Sequence, residues 1–163
     1  MLRKEVTYED FNGVNQTEEC FFNLTKTELI EMAMDLPEGV SESVGDDPNN
    51  IDEDKAVGKL METMGNKGVL KFIKDLVLKS YGIKSADGRR FMKVDENGRP
   101  LSIEFSQTMA FEAIIDEFMS NDIAAANFVN GLGISKIGIF YKSDDPYSQG
   151  IYEQFKANLN SSI

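Results

Sequence analysis

Residues 21–36 read FFNLTKTELIEMAMDL, and the fold turns on the change of period inside this run. Up to Leu24 the pattern is that of a strand, with Cys20, Phe22 and Leu24 on one face. Thr25 and Glu28 then form a Thr-x-x-Glu capping box, while Leu24 and Leu29 occupy the two positions of a hydrophobic staple. A helix therefore begins at Lys26. Leu29, Met32, Ala33 and Leu36 lie on one of its stripes, and Pro37 with Gly39 ends it.

On the N-terminal side, Val6 and Tyr8 share one strand face, Arg3, Glu5 and Thr7 the other, and Asp10-Phe11-Asn12-Gly13 supplies a turn. This predicts a half-buried hairpin that needs helices against it to persist. On the C-terminal side, residues Glu38 to Asn50 concentrate Gly, Ser, Asp, Asn and Pro and read as an acidic loop. Val57, Leu60, Met61 and Met64 repeat at helical spacing and stop at Gly65. Val69, Phe72, Ile73, Leu76 and Ser80 then face one way along a second helix, with Gly82 read as its left-handed cap.

Lys84 to Pro100, with Asp87-Gly88 and Asn97-Gly98, reads as a loop holding one short strand or ribbon. Phe111, Ile114, Ile115 and Phe118 mark an amphipathic helix. Ser120-Asn121-Asp122 caps another that runs to Gly131 and Gly133. Beyond these, Lys136 to Tyr141 reads as a strand, and Asp144 to Lys156 as a capped turn into a helix. The expected fold class is α+β: an N-terminal β-hairpin packed on four or five mainly amphipathic helices, with a C-terminal strand-helix appendage. Residues 1–132 form the domain and 133–163 the extension.

With 163 residues, 41% hydrophobic and 28% charged, the chain has the balance of one globular domain. Its formal charge of -11 repels phosphate backbones and anionic headgroups, which argues against nucleic acid or a membrane as partner. No run approaches the ~20 apolar residues of a membrane span, and no signal-peptide core follows Met1, so a cytoplasmic location is expected. One cysteine and no histidine exclude an internal disulfide, the usual zinc and haem ligand sets, and histidine-activated nucleophiles. No cofactor or metal is expected, and only carboxylate or lysine chemistry is left to a hypothetical enzyme.

The candidate motifs for such chemistry are weak. Gly131-Leu132-Gly133 lacks the third glycine of a dinucleotide loop, its place being held by Lys136. Asp95-Glu96-Asn97-Gly98 and Asp46-Asp47 lack EF-hand spacing. Cys20, beside Phe21 and Phe22, reads as a buried, inert thiol. Glu112, Asp116 and Glu117 stand close on one helix and could in principle be paired acid and base, but a solvated helix face explains them with no further assumption.

More informative is the breadth of the apolar arc from Val69 to Tyr81. Leu70, Val77 and Tyr81 widen the core stripe, and Leu78 points to the opposite side. Either this is a central helix touched on several sides, or part of its surface meets another chain. Ile30 and Met34 form a similar flanking pair on the first helix. These six residues are the candidate partner-binding positions. The eight methionines suit an adaptable surface for amphipathic helices as well as ordinary core filling.

Several ordered motifs carry a resemblance. The opening Met1 to Gly13, the run Phe21 to Leu29, Phe72 to Gly82, Lys84 to Phe91, Phe105-Ser-Gln-Thr and Ala124 to Gly131 are similar to tail assembly chaperones of siphophages and of prophages in Gram-positive bacteria. The resemblance implies a non-catalytic protein of the host bacterial cytoplasm that is left out of the mature virion. Such a protein binds the long, largely helical tape measure protein, keeps it soluble and helps recruit major tail tube subunits; self-association is also expected. Residues 134–160 locally resemble a βα piece of a periplasmic amino-acid-type solute-binding protein, so the alternative is a fragment or fusion that binds a small ligand. About 25 residues cannot by themselves form the cleft of that fold, which needs many βα units.

Overall fold

The computed structural model describes residues 1–34 and 53–133. The loop expected over Glu38–Asn50, the Pro37 and Gly39 stop, and the C-terminal strand and helix lie outside the described residues.

The hairpin forms as the alternation predicts. Strand β1 (Leu2–Glu9) pairs antiparallel with β2 (Asn15–Phe22) over its whole length, from Leu2 opposite Phe22 to Glu9 opposite Asn15. At the turn, the Asp10 carboxylate accepts the amides of Asn12 and Val14 at 2.9 and 3.0 Å, and Gly13 takes the positive φ of 76° that closes it. Helix α1 (Lys26–Met34) starts where the capping box places it: Thr25 N–H donates to Glu28 Oε2 at 2.8 Å, and Glu28 N–H donates to Thr25 Oγ1 at 3.2 Å.

Helix α2 (Glu53–Ser80) is broken at Gly65, whose φ of 66° and ψ of 173° are not helical. The two helical stretches expected on either side of Gly65 are therefore present, joined end to end across a kink. The sheet is larger than the sequence suggested. β3 (Tyr81–Lys84) leaves α2 directly and pairs with β2 at Phe21 and Phe22, and β4 (Phe91–Met92) pairs with β3, giving the antiparallel order β1-β2-β3-β4.

Gly82 is thus a strand residue and not a helix cap. At the end of α2 the buried Ser80 hydroxyl donates to Leu76 O at 2.6 Å and lies 3.2 Å from Val77 O, while the Ser80 carbonyl accepts the Asn23 amide at 2.8 Å. Gly82 is needed for another reason: a Cβ there would meet the Phe91 ring and stand 2.6 Å from Met92 O. A short helix α3 (Leu101–Phe105), not foreseen, follows Pro100, whose fixed φ of -58° suits a helix start. Thr108 caps α4 (Met109–Ser120), and Asn121 caps α5 (Asp122–Gly131) by accepting from the amides of Ile123 and Ala124.

The core sits between the sheet and the helices. Fully buried Phe22 makes edge contacts with Tyr81, Phe105 and Phe128 at centroid distances of 6.0, 6.3 and 5.2 Å, and Tyr81 stacks flat on Phe105 at 3.8 Å. Burying Phe22 alone contributes about 2–3 kcal/mol. Ile73, Leu76, Val77, Ile114 and Val129 fill the space beneath it. Lys4, on the inner face of β1, reaches Glu117 of α4 at 2.7 Å and lies 5.5 Å above the Phe118 ring, tying that helix to the edge strand. Together these elements make an α+β fold.

Candidate partner-binding surface

Of the candidate chemical groups among the described residues, Cys20, Asp95 and Glu117 are held in structural contacts. Cys20 is buried, and desolvation with the nearby Glu18 charge pushes its thiol up to about 11, so it is not a thiolate near neutrality. Asp95 accepts the amides of Asn97 and Arg99 at 2.8 and 2.9 Å, which makes its run a turn. Gly131 packs against Leu2, where a Cβ would stand 2.8 Å from a Leu2 methyl, and Gly133 at φ 88° ends α5. Glu112 and Asp116 face solvent, whereas Glu117 is held by Lys4. Among the described residues no group of three His, Cys, Asp or Glu could hold a metal ion. Among them, too, no helix is long and apolar enough to cross a membrane.

Five of the six positions singled out on helical geometry separate into three kinds. Val77 and Ile30 are buried: the first is wholly enclosed in the core, and the second is 8% exposed on α1. Tyr81 is half-buried by its stack on Phe105, and Leu78 is partly buried against the core. Leu70 is 39% exposed. It precedes Val77 by seven residues, close to two helical turns, so the same apolar stripe runs beyond the edge of the core and emerges at Leu70. Exposed Lys67, Lys71 and Lys74 surround it. Met34 closes α1, and its side chain lies outside the described residues. The broad arc is therefore mostly that of a central helix, with Leu70 its clearly open member.

Apolar surface that sequence reasoning missed lies elsewhere. Ile83, Val94 and Ile103 are exposed along the β3–β4 ribbon and α3, Met119 and Ile123 at the α4–α5 corner, and Phe11 and Val14 at the hairpin tip. Most of these carry no sequence signal, because a single apolar residue in a strand or helix reads as core. Phe11 is the exception. Asp10, Asn12 and Gly13 provide all the turn chemistry, so an aromatic residue among them has no local use.

Residues 1–133 match the phage tail assembly chaperone family, and the chain belongs to that family. No curated protein and no solved structure gives a match. Residues 134–163 lie beyond the matched residues.

Proposed function

We propose that the protein acts without catalysis in the cytoplasm of the host bacterium, binding the phage tape measure protein, keeping it soluble and helping to bring tail tube subunits to it. The observation that carries this reading is membership of the tail assembly chaperone family over residues 1–133. Physical chemistry supports it. A long tape helix with an apolar stripe aggregates unless covered, and a cover with a formal charge of -11 keeps the complex soluble. Residues 1–132 are the working unit in this proposal. Leu70, with Leu78 and the half-buried Tyr81 further along α2 and β3, offers the contact surface, bordered by lysines that would meet acidic residues of the partner.

Co-expression with the tape measure protein tests the reading. The tape protein is expected in the soluble fraction, co-eluting with this chain, and Leu70→Asp is expected to weaken that co-elution. A tape protein equally soluble with and without this chain would overturn the proposal.

A further inference from the structure

The two outer strands of the sheet are unequal. β4 offers only two residues, set in the basic stretch that holds Lys84, Arg89, Arg90 and Lys93. β1 offers eight, and among the described residues its backbone is bonded to β2 alone. Alternate amides and carbonyls from Leu2 to Glu9 therefore face outward with no described strand beside them. β1 is also held straight along the domain. Leu2, Val6 and Tyr8 pack on the core from its inner face, and Lys4 between them is neutralised by Glu117 at 2.7 Å. On the outer face Glu5 and Glu9 are exposed, while Arg3 is held by Glu19 at 3.4 Å.

The described chain ends close to the start of this edge. Gly131, the last residue of α5, packs on Leu2, and two residues later Gly133 turns at a φ of 88°. Three further residues span up to about 10 Å, which brings Lys136 within reach of the Leu2 end of β1. Residues 136–142, KIGIFYK, lie outside the described residues, and their alternation sets Ile137, Ile139 and Tyr141 in one row and Lys136, Phe140 and Lys142 in the other. We propose that this segment of the chain adds to the free edge as a fifth strand, parallel to β1, with Ile139 beside Val6 and Tyr141 beside Tyr8. Entry at Leu2, the first residue of β1, sets the parallel direction. In this register Ile137, Ile139 and Tyr141 widen the apolar layer on which α4 packs, Lys142 stands beside Glu9, and Lys136 is one step from Glu5. The β4 edge is too short for the segment and would set its lysines among like charges. Covered in this way, β1 is closed to strand addition by other polypeptides, and the helices are left as the binding surface.

Residue-resolved amide hydrogen exchange of the full chain, followed by NMR, tests the pairing. In the hairpin by itself, β1 amides alternate between those bonded to β2 and those facing the edge. In the wild-type chain both sets are expected to exchange slowly. Ile139→Pro removes a ladder donor and breaks the added strand. The edge-facing set is then expected to exchange about tenfold faster, the worth of a lost hydrogen bond, while the β2-facing set and the α4 amides stay slow and show that the domain still folds. Cross-strand nuclear Overhauser contacts of the wild type give a second reading that needs no variant. They are expected between residues 137–141 and 4–8, running in the same direction, and unchanged on dilution. Edge-facing amides that exchange at free-peptide rates in the wild type, exchange there indifferent to Ile139→Pro, contacts made to Phe91 and Met92 instead, or protection that fades on dilution, as when another molecule supplies the strand, overturns the proposal. Since tape measure protein is absent from the experiment, failure here leaves the chaperone reading to its own test.

Discussion

The Lys93 ammonium lies 2.8 Å from Glu28 Oε1, joining residues 65 positions apart, while the other oxygen of the same carboxylate accepts the Thr25 amide. One side chain thus caps α1 and pins it to the β4 segment. Capping contributes about 0.5–2 kcal/mol and a partly exposed ion pair about 0.2–1 kcal/mol. Glu28→Ala is expected to cost about 1–2 kcal/mol and Lys93→Ala less than half of that. Urea denaturation of both single variants and the double variant measures it, with the double variant costing less than the sum of the two.

The same carboxylate sets a pH dependence. Burial acts to raise its pKa, but the Lys93 hydrogen bond, the Thr25 amide and hydroxyl and the lysine charge outweigh it and hold Glu28 below its ordinary 4.5. A carboxylate depressed in the folded state adds stability above its unfolded value and loses it as pH falls through the folded one. Between about pH 6 and pH 3, the wild type is expected to lose more unfolding free energy than Glu28→Gln. Parallel curves for the two proteins would assign the acid limb to other groups.

Gly82→Ala is expected to destabilise the fold by about 3 kcal/mol, the upper range of overpacking, because the new methyl has a backbone carbonyl at 2.6 Å and an aromatic ring beside it. Chemical denaturation gives the value. A loss under about 1 kcal/mol would mean that β3 and β4 separate easily.

Cys20 provides a probe of the closed sheet. With its pKa raised to about 11 and its side chain buried, the thiol is expected to react with a chromogenic disulfide at pH 8 only as fast as the hairpin opens, and at once in denaturant. Equal rates in both conditions would show that the hairpin does not stay packed on α4.

What the sequence disclosed follows from the range of the interactions involved. The Thr25–Glu28 box, the break at Gly65 and the Asn121 cap are made within three or four residues, and each was legible. The Phe21–Gly82 and Phe22–Tyr81 pairing joins residues about sixty apart, so nothing local marked β3 as a strand, and a glycine serving close approach looked like a helix cap. Helix α3 is five residues long, too short for a period to show. The candidate surface was legible only as an excess of apolar residues on α2. Which of them stay open depended on how the helix packs in three dimensions: Val77 is wholly buried in the core, and Leu70 is exposed.

The most direct measurement of the central claim is made in the phage itself: remove this gene, induce, then count tails by electron microscopy and assay the tape measure protein in soluble and insoluble fractions. The account predicts heads without tails and an insoluble tape protein, both restored by wild-type protein supplied in trans and less well by Leu70→Asp. Normal tails and a soluble tape protein in the absence of this chain would contradict it.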